Sequence, residues 1–183
     1  MNGILCINKP QEYTSFDVVA RIRGMSKTKR VGHSGTLDPM ATGVLPIFLG
    51  TATKACNLLP DDSKCYEAAF ALGKETDTLD CWGTIKKVRE AHVRIEEIQA
   101  ILPRFTGEIE QIPPMYSAVR INGQRLYDIA RQGKEVERPP RKVRITQLEC
   151  TAFNEKDQTG VLAVSCSKGT YIRSIISDIG TAL

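Results

Sequence analysis

The sequence predicts an α+β protein in which helices flank a mixed, mostly antiparallel sheet. Strand-like segments outnumber helical ones and follow no regular βαβ order, which is typical of antiparallel sheets. Two adjacent strand-like segments, 144–153 and 161–167, are joined through Asn154-Glu155-Lys156-Asp157, and this arrangement predicts a hairpin. Hydrophobic residues make up 42% of the 183 residues and charged residues 25%, a composition that allows one domain with a buried core.

Hydrophobic periodicity and cap residues predict the elements of the first third of the chain. We expect a strand at 3–8, a helix from its N-cap Ser15 through about Arg23 that Gly24 ends, a loop at 32–42, a strand at 44–49 and a short helix at 51–59. Asp17 lies in the first turn of the predicted helix, where the helix dipole favours an acid. Val18, Val19 and Ile22 give this helix one apolar face.

The rest of the main body shows the same two periodicities. We expect a half-buried strand at 65–72, with Tyr66, Ala68, Phe70 and Leu72 on one face, a helix at 95–105, the hairpin named above and a final helix capped by Thr170. Four isoleucines of the final helix, at 172, 175, 176 and 179, recur at helical spacing. They predict a face that packs on the sheet.

Two proline pairs, at 113–114 and 139–140, enclose a segment that reads as an insertion at about 113–142. It contains a predicted strand at 116–121, an Asn-Gly turn signal and a predicted amphipathic helix at 126–132. From 120 to 144 eight basic residues face three acidic ones, although the whole chain carries only +4. A second stretch, 21–33, has five basic residues and no acid. Both stretches could contact a phosphate backbone, and a solvated charged surface explains them equally well.

The six cysteines and two histidines show no metal-ligand spacing. The cysteines at 6, 65, 150 and 166 fall in strand-like segments, so we expect buried free thiols rather than zinc ligands or disulfides. No apolar run approaches the ~20 residues that a membrane span needs. The N-terminus has no basic start or small-residue cleavage site, so we expect a cytoplasmic protein.

The segment 32–45, GHSGTLDPMATGVL, is the one most suggestive of chemistry. Its glycines permit close approach of the backbone to a ligand, and an apolar strand follows at once to hold the loop in place. Asp38 could serve as a nucleophile, as a general base or only as the opening residue of an Asp-Pro turn. The residue pattern alone leaves these alternatives open, and the same holds for the role of His33.

This segment resembles the catalytic motif of the bacterial tRNA pseudouridine synthase B family. The resemblance continues in order along the chain, through Lys9-Pro10, TSFDVV at 14–19, GKETDTLD at 73–80, QIPPMYSA at 111–118, LYDIARQG at 126–133 and SKGTYIRS at 167–174. Glu12 stands where the opening motif of the family usually has a glycine. The chain is therefore identified as a member of this family that lacks the family's C-terminal part.

The resemblance implies an isomerase that needs no cofactor and no metal. It would convert the T-loop uridine (position 55) of tRNA to pseudouridine after flipping the base out of its stack. Asp38 would be the nucleophile, attacking either ribose C1′ or the uracil ring, and Arg173 would pair with it. Tyr66 and Tyr171 would contact the base, and His33 would hold the opened T-loop.

The same resemblance implies one catalytic domain over 1–183, incomplete at its C-terminus, with the insertion as an RNA-gripping thumb. The expected partner is the T-arm of tRNA, and we expect a monomer that does not bind membranes. A different class of function, an RNA-binding module or tRNA-folding chaperone without turnover, stays open because of the missing part. A hydrolase that combines Asp38 with Asp77 or Asp80 has less support, since nothing in their spacing requires it.

Overall fold

The computed structural model describes residues 1–58 and 63–183. The chain divides into two compact units, Met1–Asp61 and Asp62–Leu183. Every strand pair among the described residues is antiparallel, so the predicted α+β class is confirmed. In the same residues, no helix is both long and apolar enough to cross a membrane.

The first unit is a three-stranded sheet with one packed helix. Its elements are β1 (Gly3–Lys9), α1 (Ser15–Ser26), β2 (Val31–His33), β3 (Gly43–Leu49) and a 3-10 helix (Gly50–Asn57). The strand order is β1-β3-β2. Val18 and Val19 of α1 are buried against Leu45, Ile47 and Leu49 of β3. The predicted short helix at 51–59 is this 3-10 helix, and its expected end at Leu59 lies outside the described residues.

The predicted N-cap of α1 is wrong by one residue, and its predicted end by three. Thr14, not Ser15, is the N-cap, and it forms a reciprocal capping box with Asp17. This leaves the Ser15 hydroxyl free to bond elsewhere. The helix passes through Gly24 and stops at Lys27, whose φ of 50° lies in the left-handed region.

The described part of the second unit is a four-stranded sheet with two small hairpins, three α-helices and a 3-10 helix. Its elements are β4 (Lys64–Ala71), β5 (Lys74–Thr76), β6 (Ile85–Val88), α2 (Ile95–Ile101), a 3-10 helix (Leu102–Phe105), β7 (Gly107–Gln111), β8 (Arg120–Ile121), β9 (Gln124–Arg125), α3 (Leu126–Ala130), β10 (Arg141–Asn154), β11 (Thr159–Cys166) and α4 (Ile172–Ala182). The main sheet has the order β4-β11-β10-β7, and β10 and β11 form the predicted hairpin. The strands β5, β6 and β7 were not predicted.

The core of this unit lies between the main sheet and the helices α2 and α4. Ile175 and Ile179 of α4 are fully buried, so its predicted apolar face is confirmed. Tyr66 and Phe70 lie on the inward face of β4, as its alternating pattern predicted. The N-cap of α4 is Tyr171, not the predicted Thr170. The Thr170 hydroxyl instead donates to the carbonyl of Ser167 at 2.8 Å.

The insertion has a hydrophobic cluster of its own. Met115, Leu126 and Ile129 are buried together, and partly buried apolar side chains surround them. The Asn-Gly turn joins β8 to β9 with positive φ at both residues, as a type I′ hairpin requires. The predicted strand at 116–121 is limited to Arg120–Ile121, and the helix ends at Ala130 rather than 132.

The expectation of four buried thiols is wrong for three of them. Cys166 is buried, Cys150 is half-buried, and Cys6 and Cys65 are exposed. Both exposed cysteines lie on edge strands, β1 and β4, where alternate side chains meet solvent. No disulfide links the described cysteines.

Candidate active site

Asp38 lies in the loop between β2 and β3, and this loop is fixed by side chains of the same unit. The amide of Ala41 donates to the Asp38 carbonyl at 3.0 Å, which closes a turn over Pro39. On the other side of Asp38, the Leu37 amide donates to the Ser15 hydroxyl at 3.0 Å. The half-buried Asp38 therefore stands between two anchored neighbours.

Lys9, at the end of β1, anchors the loop through the hydrogen bonds of its side chain. Its side chain is fully buried, and its ammonium donates to the carbonyls of Pro10 (2.9 Å), Tyr13 (2.6 Å) and Pro39 (3.3 Å). Burial lowers the pKa of Lys9, while the charges of Asp38 and Asp17 oppose that shift. Sequence reasoning placed Lys9 in a matching motif but gave it no role, because a lysine is almost never fully buried unless it is paired.

His33 is the last residue of β2 and pairs in register with Ile47 of β3. Its ring is half-buried. The Nδ1 atom is buried and has no hydrogen-bond partner within residues 1–58 and 63–183. An imidazole held this way keeps hydrogen-bonding capacity that a ligand could use.

Arg173 lies in the first turn of α4 and is only 8% exposed. Its two terminal nitrogens donate to the carbonyls of Thr78 (2.8 Å) and Tyr116 (3.0 Å), which are 95 and 57 residues away in sequence. One nitrogen also lies 3.8 Å from a carboxylate oxygen of Asp80. Arg173 is therefore held by backbone carbonyls of two distant segments and does not point to water.

The loop between β5 and β6, which presents Thr78 and Asp80 to Arg173, is tightly folded. Asp80 accepts from the Thr78 hydroxyl at 2.7 Å and from the Trp82 amide at 3.0 Å. Leu79 adopts a φ of 59°, and a Cβ on Gly83 would lie 2.2 Å from the Thr78 hydroxyl oxygen. Asp80 is thus held within its own loop and lies beside Arg173.

Tyr171 is the N-cap residue of α4, two positions before Arg173. Its backbone amide donates to the side-chain oxygen of Gln111 at 2.8 Å, and its carbonyl accepts from the Gln111 side-chain nitrogen at 3.0 Å. Tyr66, on the inward face of β4, packs against the same core as α4. The structure therefore places Tyr66, Tyr171 and Arg173 in the second unit, and Asp38 and His33 in the first.

The insertion presents an exposed group of cations and one aromatic ring. The guanidinium groups of Arg125 and Arg131 lie 5.6 and 5.3 Å from the centre of the Tyr127 ring. Arg125 also donates to the Tyr127 hydroxyl, and this contact raises the pKa of the arginine. In the first unit Arg21, Lys27, Lys29 and Arg30 are exposed. Such surfaces can bind phosphates and stack on bases.

Comparison with known proteins gives consistent results. The family described as TruB family pseudouridylate synthase (N terminal domain) matches residues 23–172. The tRNA pseudouridine synthase B of Pseudomonas fluorescens strain Pf-5 is 48% identical over 183 residues, and that of Clostridium tetani 50% over 184. Each covers all of this chain, which spans 59% and 63% of their respective lengths.

Solved structures lead to the same group of proteins. The crystal structure of a Cbf5-Nop10-Gar1 complex contains a chain with a TM-score of 0.74 and 30% identity, over 99% of this chain and 44% of that one. The structure of an H/ACA RNP bound to a substrate RNA containing 2′-deoxyuridine contains a chain with a TM-score of 0.69 and 28% identity, over 99% of this chain and 43% of that one. The chain belongs to the TruB family of pseudouridylate synthases.

Proposed function

We propose that this chain carries the catalytic residues of a tRNA pseudouridine synthase that converts the T-loop uridine (position 55) to pseudouridine. The reaction breaks the bond between ribose C1′ and uracil N1 and joins C1′ to C5; C5 loses its proton to solvent, and N1 takes up a proton in its place. Because one C–N bond is exchanged for one C–C bond and one proton is lost for each proton gained, no external oxidant or reductant is needed. The proposal rests on family membership and on the anchored loop that presents Asp38.

Asp38 is the proposed nucleophile. A nucleophile that attacks a ring must be held at one distance and angle, and the cost of a misplacement of about 1 Å can reach about a hundredfold in rate. The bonds from Ser15 and Lys9 to Leu37 and Pro39 restrict the loop on both sides of Asp38.

The other four residues have proposed roles in holding the reacting groups. Arg173 supplies the cation that pairs with Asp38, and its bonds to two backbone carbonyls fix its own position. Tyr66 and Tyr171 offer aromatic surface to the flipped base, an interaction worth roughly 1–3 kcal/mol per base. His33 contacts the opened T-loop, since its buried Nδ1 has no hydrogen-bond partner among the described residues.

The proposed RNA partner is the T-arm, which the insertion would grip from one side. Its exposed Arg125 and Arg131 and its half-buried Tyr127 combine charge for phosphates with a ring for stacking. We expect the chain to act as a monomer in the cytoplasm. The relatives are longer than this chain, so activity by the 183 residues is itself part of the proposal.

The experiment uses the chain with a synthetic T-arm hairpin and maps pseudouridine by chemical derivatisation and primer extension. A second hairpin with cytidine at position 55 serves as the substrate control. The Asp38→Asn variant keeps the size and polarity of the side chain but removes its charge, so it is the matched protein control. Hairpin binding is measured in parallel for both proteins.

We expect conversion at position 55 by the wild-type chain and none by Asp38→Asn. The dissociation constants of the two proteins for the hairpin should agree within about threefold. Conversion at another uridine would overturn the proposed site. Binding by the wild-type chain without any conversion would favour an RNA-binding module over an enzyme. Equal conversion by both proteins would overturn the role of Asp38.

A further inference from the structure

Gln111, the last residue of β7, makes a reciprocal pair of hydrogen bonds with the N-cap residue of α4. Its side-chain oxygen accepts from the Tyr171 amide (2.8 Å) and its side-chain nitrogen donates to the Tyr171 carbonyl (3.0 Å). The same carbonyl accepts from the Ile175 amide at 3.2 Å, the first backbone bond of the helix. Gln111 therefore fixes the point at which α4 begins.

The contact belongs to a continuous attachment between α4 and the segment that leads into the insertion. After Gln111, the Ile112 carbonyl accepts from the Ser174 hydroxyl at 3.1 Å. Further along, the Tyr116 carbonyl accepts from Arg173 at 3.0 Å. Gln111 is 2% exposed and is the only one of these groups that bonds through both of its polar atoms to α4.

We propose that Gln111 is a positioning residue for the reaction, acting through Tyr171 and Arg173. This inference rests on the proposed function, because it assigns Gln111 a role only if those two residues contact the reacting nucleotide. The two hydrogen bonds between the Gln111 side chain and Tyr171 set the rotation of the first turn of α4 and its position along the helix axis. Removing them lets Tyr171 and Arg173 shift together, whereas the contacts of the exposed Arg125 and Arg131 lie within the insertion itself.

A purely structural role is the competing explanation, since buried polar side chains generally satisfy backbone groups. The chain contains a matched control for it. Gln158 makes the same reciprocal pair with the backbone of Val93, accepting from its amide and donating to its carbonyl, both at 2.9 Å. Gln158 lies in the turn between β10 and β11 and makes no bond to α4 among those the structure gives.

The first test compares Gln111→Met with Gln158→Met, since methionine keeps the length of glutamine but has no amide. The readouts are the melting temperature, the dissociation constant for the T-arm hairpin and the single-turnover rate of pseudouridine formation. We expect both variants to melt at lower temperature and to bind the hairpin within about threefold of wild type. Only Gln111→Met should lose rate, by about 10- to 100-fold.

The second test uses Gln111→Glu, which decides the question if the methionine variant does not fold. A protonated glutamic acid can accept and donate as the amide does, whereas the carboxylate can only accept and repels the Tyr171 carbonyl. The single-turnover rate of Gln111→Glu relative to wild type should therefore rise as the pH falls from about 8 to about 5. The same ratio for Gln158→Glu should stay flat.

Equal single-turnover rates for Gln111→Met and Gln158→Met, or a flat pH ratio for Gln111→Glu, would overturn the inference and leave the proposed function standing. A rate loss that follows hairpin affinity rather than the chemical step would overturn it as well. No conversion by the wild-type chain would overturn the proposed function, and this inference with it.

Discussion

Replacing Lys9 with methionine should destabilise the first unit. Methionine keeps most of the apolar stem, so the main loss is the ammonium that donates to the carbonyls of Pro10, Tyr13 and Pro39. Hydrogen bonds from a charged donor are worth about 1.5–3 kcal/mol each. Part of their loss is offset because methionine does not have to be desolvated as a charge when it is buried. We expect a net loss of about 2–4 kcal/mol in the free energy of unfolding.

The assay is urea unfolding followed by circular dichroism, together with amide hydrogen exchange of α1 and β3. A loss of this size lowers the urea midpoint by about 1–2 M for a small unit. Lys54→Met, which replaces an exposed lysine of the same unit, is the control. If the free energies of unfolding of Lys9→Met and Lys54→Met agree within about 0.5 kcal/mol, the anchoring role given to Lys9 is refuted.

Three further substitutions test the local arguments. Hydrogen bonds from the Thr14 side chain and then from the Thr14 amide lower the pKa of Asp17, and the charge of Lys9 adds a smaller effect. The ionised Asp17 therefore contributes stability above pH 3.8, and this contribution is lost as the pH falls through the lowered pKa. Asp17→Asn should flatten that part of an acid-unfolding curve. Gly160→Ala should destabilise the second unit by about 1–3 kcal/mol in thermal unfolding, because the new Cβ would lie 2.6 Å from the Phe70 ring. Glu12→Gly should raise the melting temperature slightly, by relieving a φ of 69°, and an unchanged or lower value would contradict this.

Most of the fold could be predicted because its apolar spacing is regular. The isoleucines of α4 and the alternating face of β4 identified themselves in this way. In contrast, β6 (Ile85–Val88) was missed because all four side chains are exposed, so no alternation marks it. β7 was missed because its most buried residue is the polar Gln111, which a hydrophobic pattern does not register.

The candidate site was found through its motifs, and its supporting residues were not. Asp38 and Arg173 came from a resemblance to a family, whereas Lys9 and Gln111 emerge only from burial and hydrogen bonds. Both bond to backbone groups: Lys9 to the carbonyls of Pro10, Tyr13 and Pro39, and Gln111 to the amide and carbonyl of Tyr171, 60 residues away. Such partners carry no residue signature, so no pattern within one segment could have revealed them.

The most direct test of the account is release of tritium from a tRNA transcript labelled at C5 of uridine 55. Joining C1′ to C5 must expel the C5 hydrogen to solvent, so release reports formation of the new carbon–carbon bond. We expect release by the wild-type chain and none above background by Asp38→Asn at equal occupancy of the RNA. Release at the wild-type rate by Asp38→Asn would contradict the central claim that Asp38 performs the chemistry.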